Sequence, residues 1–248
     1  MQESLLRVGF FLDGYTLKKV NDYYRNFHRF HASLDFRGLK SWVQLQVHRY
    51  FNKANRVLEL ESHYYHPQRN PHIYGRGASG VFKLEFELMN AGYQIHYSDR
   101  PEENGHLGPN LSLIEDAQMF ASYCHMDAVV LLSTQGQYAP LADRLRMLDV
   151  PVLLLGWNFE YPKADRRVHW KTDTCLRENC AHYVAMEKVL DRNPECDVPP
   201  VGLFLRPEIS STKKAQGSDD HWTGKSRARV KTKACFPASS ANRCGRSK

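Results

Sequence analysis

Long apolar runs are missing from this sequence. No stretch approaches the roughly 20 consecutive apolar residues that cross a bilayer, so no membrane partner is expected. No secretory leader is expected either. Met1-Gln2-Glu3-Ser4 carries an early acid, and the apolar run behind it ends at Asp13 without a small-residue cleavage site. Cysteine is sparse, with six in 248 residues and no tight Cys-x2-Cys knuckle. A chain of this size needs no disulfides, so reduced thiols in a cytoplasmic compartment are expected. No internal repeat is visible.

Acidic residues are scarce at one end only. Residues 1–205 hold 23 Lys and Arg against 24 Asp and Glu. Residues 206–248 hold 11 against 3, so the formal charge of +7 belongs to the tail. After Leu205 the composition turns to Ser, Thr, Lys, Arg, Gly and Ala, which predicts a basic, disordered segment. Such a tail attracts phosphate without regard to sequence, or is a solvated end with no dedicated partner. The predicted domain is 1–205, with its core over about 6–190.

What is present is an alternation of strands and helices. Arg7–Leu12 reads as a buried strand ending in an Asp13-Gly14 turn. Phe36, Leu39, Val43, Val47 and Tyr50 follow helical spacing behind the capping residue Asp35. Leu58–Tyr65 reads as a second strand, Val81–Asn90 as a helix stopped by Gly92, and Tyr93–Tyr97 as a third strand. Leu111, Ile114, Ala117 and Ala121 form a helical stripe. Ala128–Ser133 and Val150–Leu155 are unbroken apolar strands around a helix over Tyr138–Leu148, and a last helix is expected over Thr174–Leu190. Strands apolar on both faces argue for a parallel sheet covered on both sides, an α/β fold.

In such a sheet ligands bind beyond the carboxyl ends of the strands. Three places supply residues there: Asp13, the helix entrance with Asn110, Glu115 and Asp116, and the segment Ser133-Thr134-Gln135-Gly136-Gln137-Tyr138. Asp13 is a residue type that can anchor a hard cation.

Three stretches resemble a known family. Phe10-Phe11-Leu12-Asp13-Gly14-Tyr15-Thr16-Leu17 is similar to the opening motif of NYN domains, the LabA-like branch of the PIN-type ribonuclease superfamily. Leu107–Ala117 resembles the family's Lys-Gly-Val-Asp helix start with its second Asp further along. Leu131–Leu141 resembles its Ser-Gly-Asp-x-Asp-Phe-x-Pro-Leu segment. The resemblance runs in order from about residue 6 to residue 190. It implies a PIN-like Rossmannoid three-layer fold and RNA cleavage dependent on Mg²⁺ or Mn²⁺ in an acidic pocket. Carried over residue by residue, Asp13 and Asp116 match acidic positions, as catalytic and metal-ligating candidates. Thr16 stands for the usual Asn, Asn110 for an Asp, and Gln135 and Gln137 for paired aspartates. These neutral replacements keep shape and lose the charge that offsets dehydration of the ion. On a helix, Asn110 and Asp116 do not share a face. Asp116 therefore either completes the pocket or serves the structure.

The expectation is thus an RNA-binding protein of ribonuclease descent with a partly neutralised metal pocket and weak or no cleavage. An active Mg²⁺/Mn²⁺ ribonuclease and a regulatory module without nucleic acid are the alternatives. Aromatic and basic residues interleave in Tyr23–His31 and His63–Arg69. They suit stacking on single-stranded RNA, or they simply pack under loops. Arg25, Arg29, Arg69, Arg76 and Lys83 are the nucleic-acid-binding candidates. Residues 75–80 are Gly-rich without the Lys-Ser/Thr ending of a phosphate loop. His169, Cys175, Cys180 and His182 cluster loosely, a spacing that makes zinc unlikely chemistry. Trp157–Tyr161 is expected to close the sheet edge.

Overall fold

Strand β1 (Leu6–Asp13) is buried at every position except Arg7. It leads directly into α1 (Gly14–Asn26) and then α2 (Phe36–Phe51), whose N-cap Asp35 accepts hydrogen bonds from the Arg37 and Gly38 amides. In the computed structural model the described residues are 5–52, 56–67, 78–97, 102–103, 106–163, 166–191 and 202–205. Strand β2 (Leu58–His66), helix α3 (Ala78–Asn90) and strand β3 (Gln94–Tyr97) follow. Gly92, at φ +77°, supplies the left-handed turn after α3. A short antiparallel pair, β4 (Glu102–Glu103) and β5 (His106–Leu107), precedes α4 (Leu111–Tyr123).

The second half runs through β6 (Ala128–Leu132), a 3₁₀ turn (Gly136–Tyr138), α5 (Ala139–Met147) and β7 (Val152–Gly156). An antiparallel hairpin of β8 (Phe159–Lys163) and β9 (Arg166–Trp170) comes next. The described elements close with α6 (Thr174–Asn179), β10 (His182–Ala185) and α7 (Met186–Leu190).

Six strands form one parallel sheet in the order β10-β7-β6-β1-β2-β3. All five residues of both β6 and β7 are buried, because helices cover both faces of the sheet. One core unites β1 with residues of α1, α2 and α3, including Leu17, Val20, Leu39, Val43, Val47 and Leu88. The other unites the opposite face with α4, α5 and α6 through Leu113, Ala117, Leu141, Leu145 and Leu176. This is the expected α/β architecture, a three-layer Rossmann-like fold. The chain lays β1, β2 and β3 in one direction, then returns to the other side of β1 with β6. The reversal between β1 and β6 is the sheet's switch point.

Several local expectations are corrected. Asp13-Gly14 is not an isolated turn but the start of the 13-residue α1. Leu111 is 48% exposed, and Leu113 takes its place on the buried face of α4. Tyr50, at the end of α2, is exposed. The predicted helix over Thr174–Leu190 is three elements. Cys180 is extended (φ −91°, ψ 145°), and residues 182–185 pair with β7 instead. The β-branched and aromatic content of Tyr183-Val184 suits that edge position. Trp157 is buried, and the segment after it builds the hairpin along α1, with Phe159 stacked on Tyr23 at 4.2 Å; β10, not this segment, closes the sheet edge. The tail 206–248 lies outside the described residues.

Candidate functional site at the switch point

The carboxyl ends of β1 and β6 lie side by side, with Leu12 opposite Leu132. Asp13 follows at once and is the N-cap of α1. Its Oδ2 accepts from the Thr16 amide at 3.2 Å and from the Thr16 hydroxyl at 2.8 Å. Its Oδ1 accepts from the Tyr138 hydroxyl at 3.3 Å. The carboxylate has no exposed surface. Glycine is required next to it, because a β-carbon on Gly14 would overlap the carbonyl oxygen of Tyr65.

Two further chain reversals close on the same point. Asn110 caps α4 through its Oδ1, which accepts from the Leu113 amide at 3.1 Å, and its Nδ2 donates to the His66 carbonyl at 3.3 Å. Its own amide donates to the Tyr138 hydroxyl at 3.0 Å. Tyr138 therefore bridges Asp13 and Asn110. Thr134, just past β6, meets Thr16 with their hydroxyls 3.3 Å apart, and its amide donates to the Thr16 hydroxyl at 3.3 Å. The result is one buried carboxylate held in a network of neutral groups.

Gln135 is half-buried and its amide donates to the Ser133 hydroxyl at 3.2 Å, while Gln137 is exposed. Asp116 sits further along α4, where its Oδ2 accepts from the Tyr65 hydroxyl at 2.8 Å and lies 3.6 Å from His96 Nδ1. Burial, then the bond to Asp116, raises the Tyr65 hydroxyl above its ordinary range. His96 Nε2 lies 3.1 Å from His63 Nδ1. Desolvation, reinforced by His96, lowers His63 to about 4.

α1 runs back along the sheet, so its 13 residues carry Arg25 about 18 Å from Asp13, with Arg29 beyond it. Those two cations therefore do not reach the site. Lys83 is exposed on α3, 4.0 Å from Glu87, and lines a cavity of about 460 Å³ whose walls include none of the site's residues. Arg69 and Arg76 lie outside the described residues. The interleaved rings mostly pack inward: Tyr24, His28, Phe30, His63, Tyr64, Tyr65 and His66 are all buried.

A divalent cation does not fit the donor set at Asp13. Three donors already point at the carboxylate and Asp116 is committed to Tyr65, while Asp173, whose carboxylate lies against Gly136, caps α6 by accepting from the Cys175 and Leu176 amides at 2.8 and 3.2 Å. Among the described residues no group of three or more His, Cys, Asp or Glu is placed to hold a metal. In the loose His169–His182 cluster, burial pushes the Cys180 thiol up to about 12.

Sequence reading missed Tyr138 and Thr134 as site residues. Both lie in the segment after β6 that it singled out. It also left the hairpin unread. The base of that hairpin borders the site, because the Asp173 amide donates to the Thr134 carbonyl at 3.0 Å and the Trp170 ring lies 5.8 Å from that of Tyr15.

The fold and this site define a doubly wound α/β protein with a hydrogen-bonded polar network at its switch point. No family model matches the chain, and no curated protein does. It is similar to a solved structure of a protein of unknown function from Vibrio parahaemolyticus, with a TM-score of 0.50 and 13% identity over 83% of this chain and 99% of that one. At that identity the likeness speaks for the fold alone. Among the described residues no helix is long and apolar enough to cross a membrane.

Proposed function

We propose that the chain is an NYN-type protein of ribonuclease descent that binds single-stranded RNA and does not cleave it through a bound metal. The observation that carries this reading is the state of Asp13. It occupies the switch point where an α/β sheet places its ligand chemistry, yet it is buried and accepts hydrogen bonds on both oxygens. Tyr138 stands where the motif it resembles has Phe. Its added hydroxyl turns a would-be metal carboxylate into a structural acceptor. Gln135 and Gln137, where that motif has aspartates, supply none of the charge a Mg²⁺ or Mn²⁺ ion needs.

Support for RNA comes from the rim. Tyr15 and Trp170 form a ring pair beside the site, with Lys19 Nζ 5.4 Å from the Tyr15 ring centre and Lys171 exposed next to Trp170. Rings flanked by cations suit unstacked bases and their phosphates.

The test is binding and cleavage of labelled single-stranded RNA by the full chain with Mg²⁺ or Mn²⁺. The expected result is salt-sensitive binding, weakened by Lys19→Ala with Lys171→Ala, and intact RNA after prolonged incubation. Metal-dependent cleavage abolished by Asp13→Ala would establish the active ribonuclease instead. Absence of binding at low salt would favour a regulatory module that works without nucleic acid.

A further inference from the structure

At the far edge of the sheet a groove of about 450 Å³ runs between α2 and β10. Ligand sites commonly occupy about 300–1,000 Å³. One wall is a helical stripe, Trp42, Gln46 and Arg49, spaced four and three residues apart on α2. The other wall includes four consecutive residues, 182–185, and then Lys188. Side chains of a strand alternate between faces, so four in a row line a groove only when the backbone edge itself forms the wall. β10 is the outermost strand, paired with β7 on one side.

The groove's chemistry is one-sided. Arg49, His182 and Lys188 line it, and no Asp or Glu does. Neither Arg49 nor Lys188 forms an ion pair among the described residues, and both are exposed. The neighbouring acid Glu187 is turned to other work, accepting from the Asn158 amide and side chain at 3.2 and 3.0 Å. Aromatic surface is present in the half-buried Trp42 and in Tyr50, whose ring lies 5.8 Å from that of His182. An open strand edge adds backbone donors and acceptors.

We infer that this groove is a second binding surface for single-stranded RNA, with Arg49 and Lys188 on phosphates and Trp42 and the Tyr50–His182 pair against bases. Cations interleaved with rings along a groove suit a single strand, whereas a duplex presents its bases already stacked. β10 lies three strands from β1, about 14 Å across the sheet. The surface is therefore distinct from the switch point, and a strand held there continues the RNA-binding reading proposed above, on which this inference rests.

The experiment is fluorescence anisotropy of a short labelled single-stranded RNA with the full chain across a salt series. Arg49→Ala with Lys188→Ala is expected to weaken binding about tenfold at low salt. It should also reduce the slope of log affinity against log salt by about 1–2, since two phosphate contacts are lost. Both side chains are exposed and form no ion pair among the described residues, so an unchanged thermal melt verifies folding. Ultraviolet crosslinks to Trp42 or Tyr50 are expected in the wild type. Unchanged affinity and slope in this variant, with weakening only in Lys19→Ala/Lys171→Ala, overturns the second surface and leaves the switch-point reading standing. A wild type that binds no RNA overturns both. A groove that captures a poly-glutamate peptide which RNA fails to displace also overturns the inference.

Discussion

Asp13 accepts three hydrogen bonds and has no exposed surface, and this decides what it can do. A buried carboxylate costs several kcal/mol to desolvate unless donors replace the water. Thr16 supplies two and Tyr138 one. Tyr138→Phe therefore removes more than a hydroxyl: it strips one donor from Asp13 and leaves the Asn110 amide without its acceptor. Leaving buried polar groups unpaired costs about 1–3 kcal/mol each. Denaturant unfolding should show a loss of about 2–4 kcal/mol, while Gln137→Ala, at an exposed position, should change stability by less than about 0.5 kcal/mol. Equal stability of wild type and Tyr138→Phe would contradict the bridging role. Asn110 was legible because a polar residue before an apolar stripe marks a helix start, and Asp13 because it ends an apolar strand, although Asp13-Gly14 read as a turn; Thr16 came only from the family resemblance. Tyr138 was not legible, because an aromatic inside an apolar segment reads as core until its hydroxyl is seen to reach 3.3 Å from a carboxylate contributed 125 residues earlier.

At the scale of elements, α4 is tied to β2 and β3 by a chain of titratable groups. Asp116 on α4 accepts from Tyr65 on β2, faces His96 on β3, and His96 meets His63 on β2. His63 is fully buried, stacked on Phe11 at 5.1 Å, and its Nε2 has no hydrogen-bond partner, Glu61 being 3.7 Å away. Burial lowers it from an ordinary 6.5 to about 4, with the His96 and Lys40 charges acting in the same direction and Asp116 opposing. The unfolded chain thus takes up a proton near pH 6.5 that folded His63 refuses until about pH 4. Stability contributed here is full above pH 6.5, falls as pH drops between those values, and levels off below about 4. The loss is up to about 3 kcal/mol. Urea titrations at pH 7, 5.5 and 4 should show it, and His63→Phe, which keeps a ring against Phe11, should flatten the profile. A profile unchanged by that substitution would place the acid sensitivity elsewhere. Sequence reading found β1, β6 and β7 from unbroken apolar runs, β2 from its alternation and aromatic end, and β3 behind the Gly92 stop. It missed β10, which no Gly or Pro separates from the helix start at Thr174, and the hairpin, whose first strand contains Pro162. Only pairing with β7, or packing on α1, decides their conformation.

For the whole molecule, the order β10-β7-β6-β1-β2-β3 puts three chain reversals at one end of one seam. Asp13, Asn110 and the segment after β6 meet there because the sheet reverses direction between β1 and β6. The architecture followed from the alternation of strand and helix, and so did the meeting of Asp13, Asn110 and the segment after β6 beyond the carboxyl ends of the strands. The site's chemistry did not follow, since whether Asp116 turns into the pocket depends on Tyr65 and His96, which come from two other strands. The proposed function holds that this pocket kept its position without holding a metal. Titration of the full chain with Mn²⁺, followed by electron paramagnetic resonance of the free ion, puts that to the test. The expected result is no Asp13-dependent site tighter than about 0.1 mM, within the range where weak oxygen sites begin. A stoichiometric Mn²⁺ site tighter than that, lost in Asp13→Asn, would contradict it.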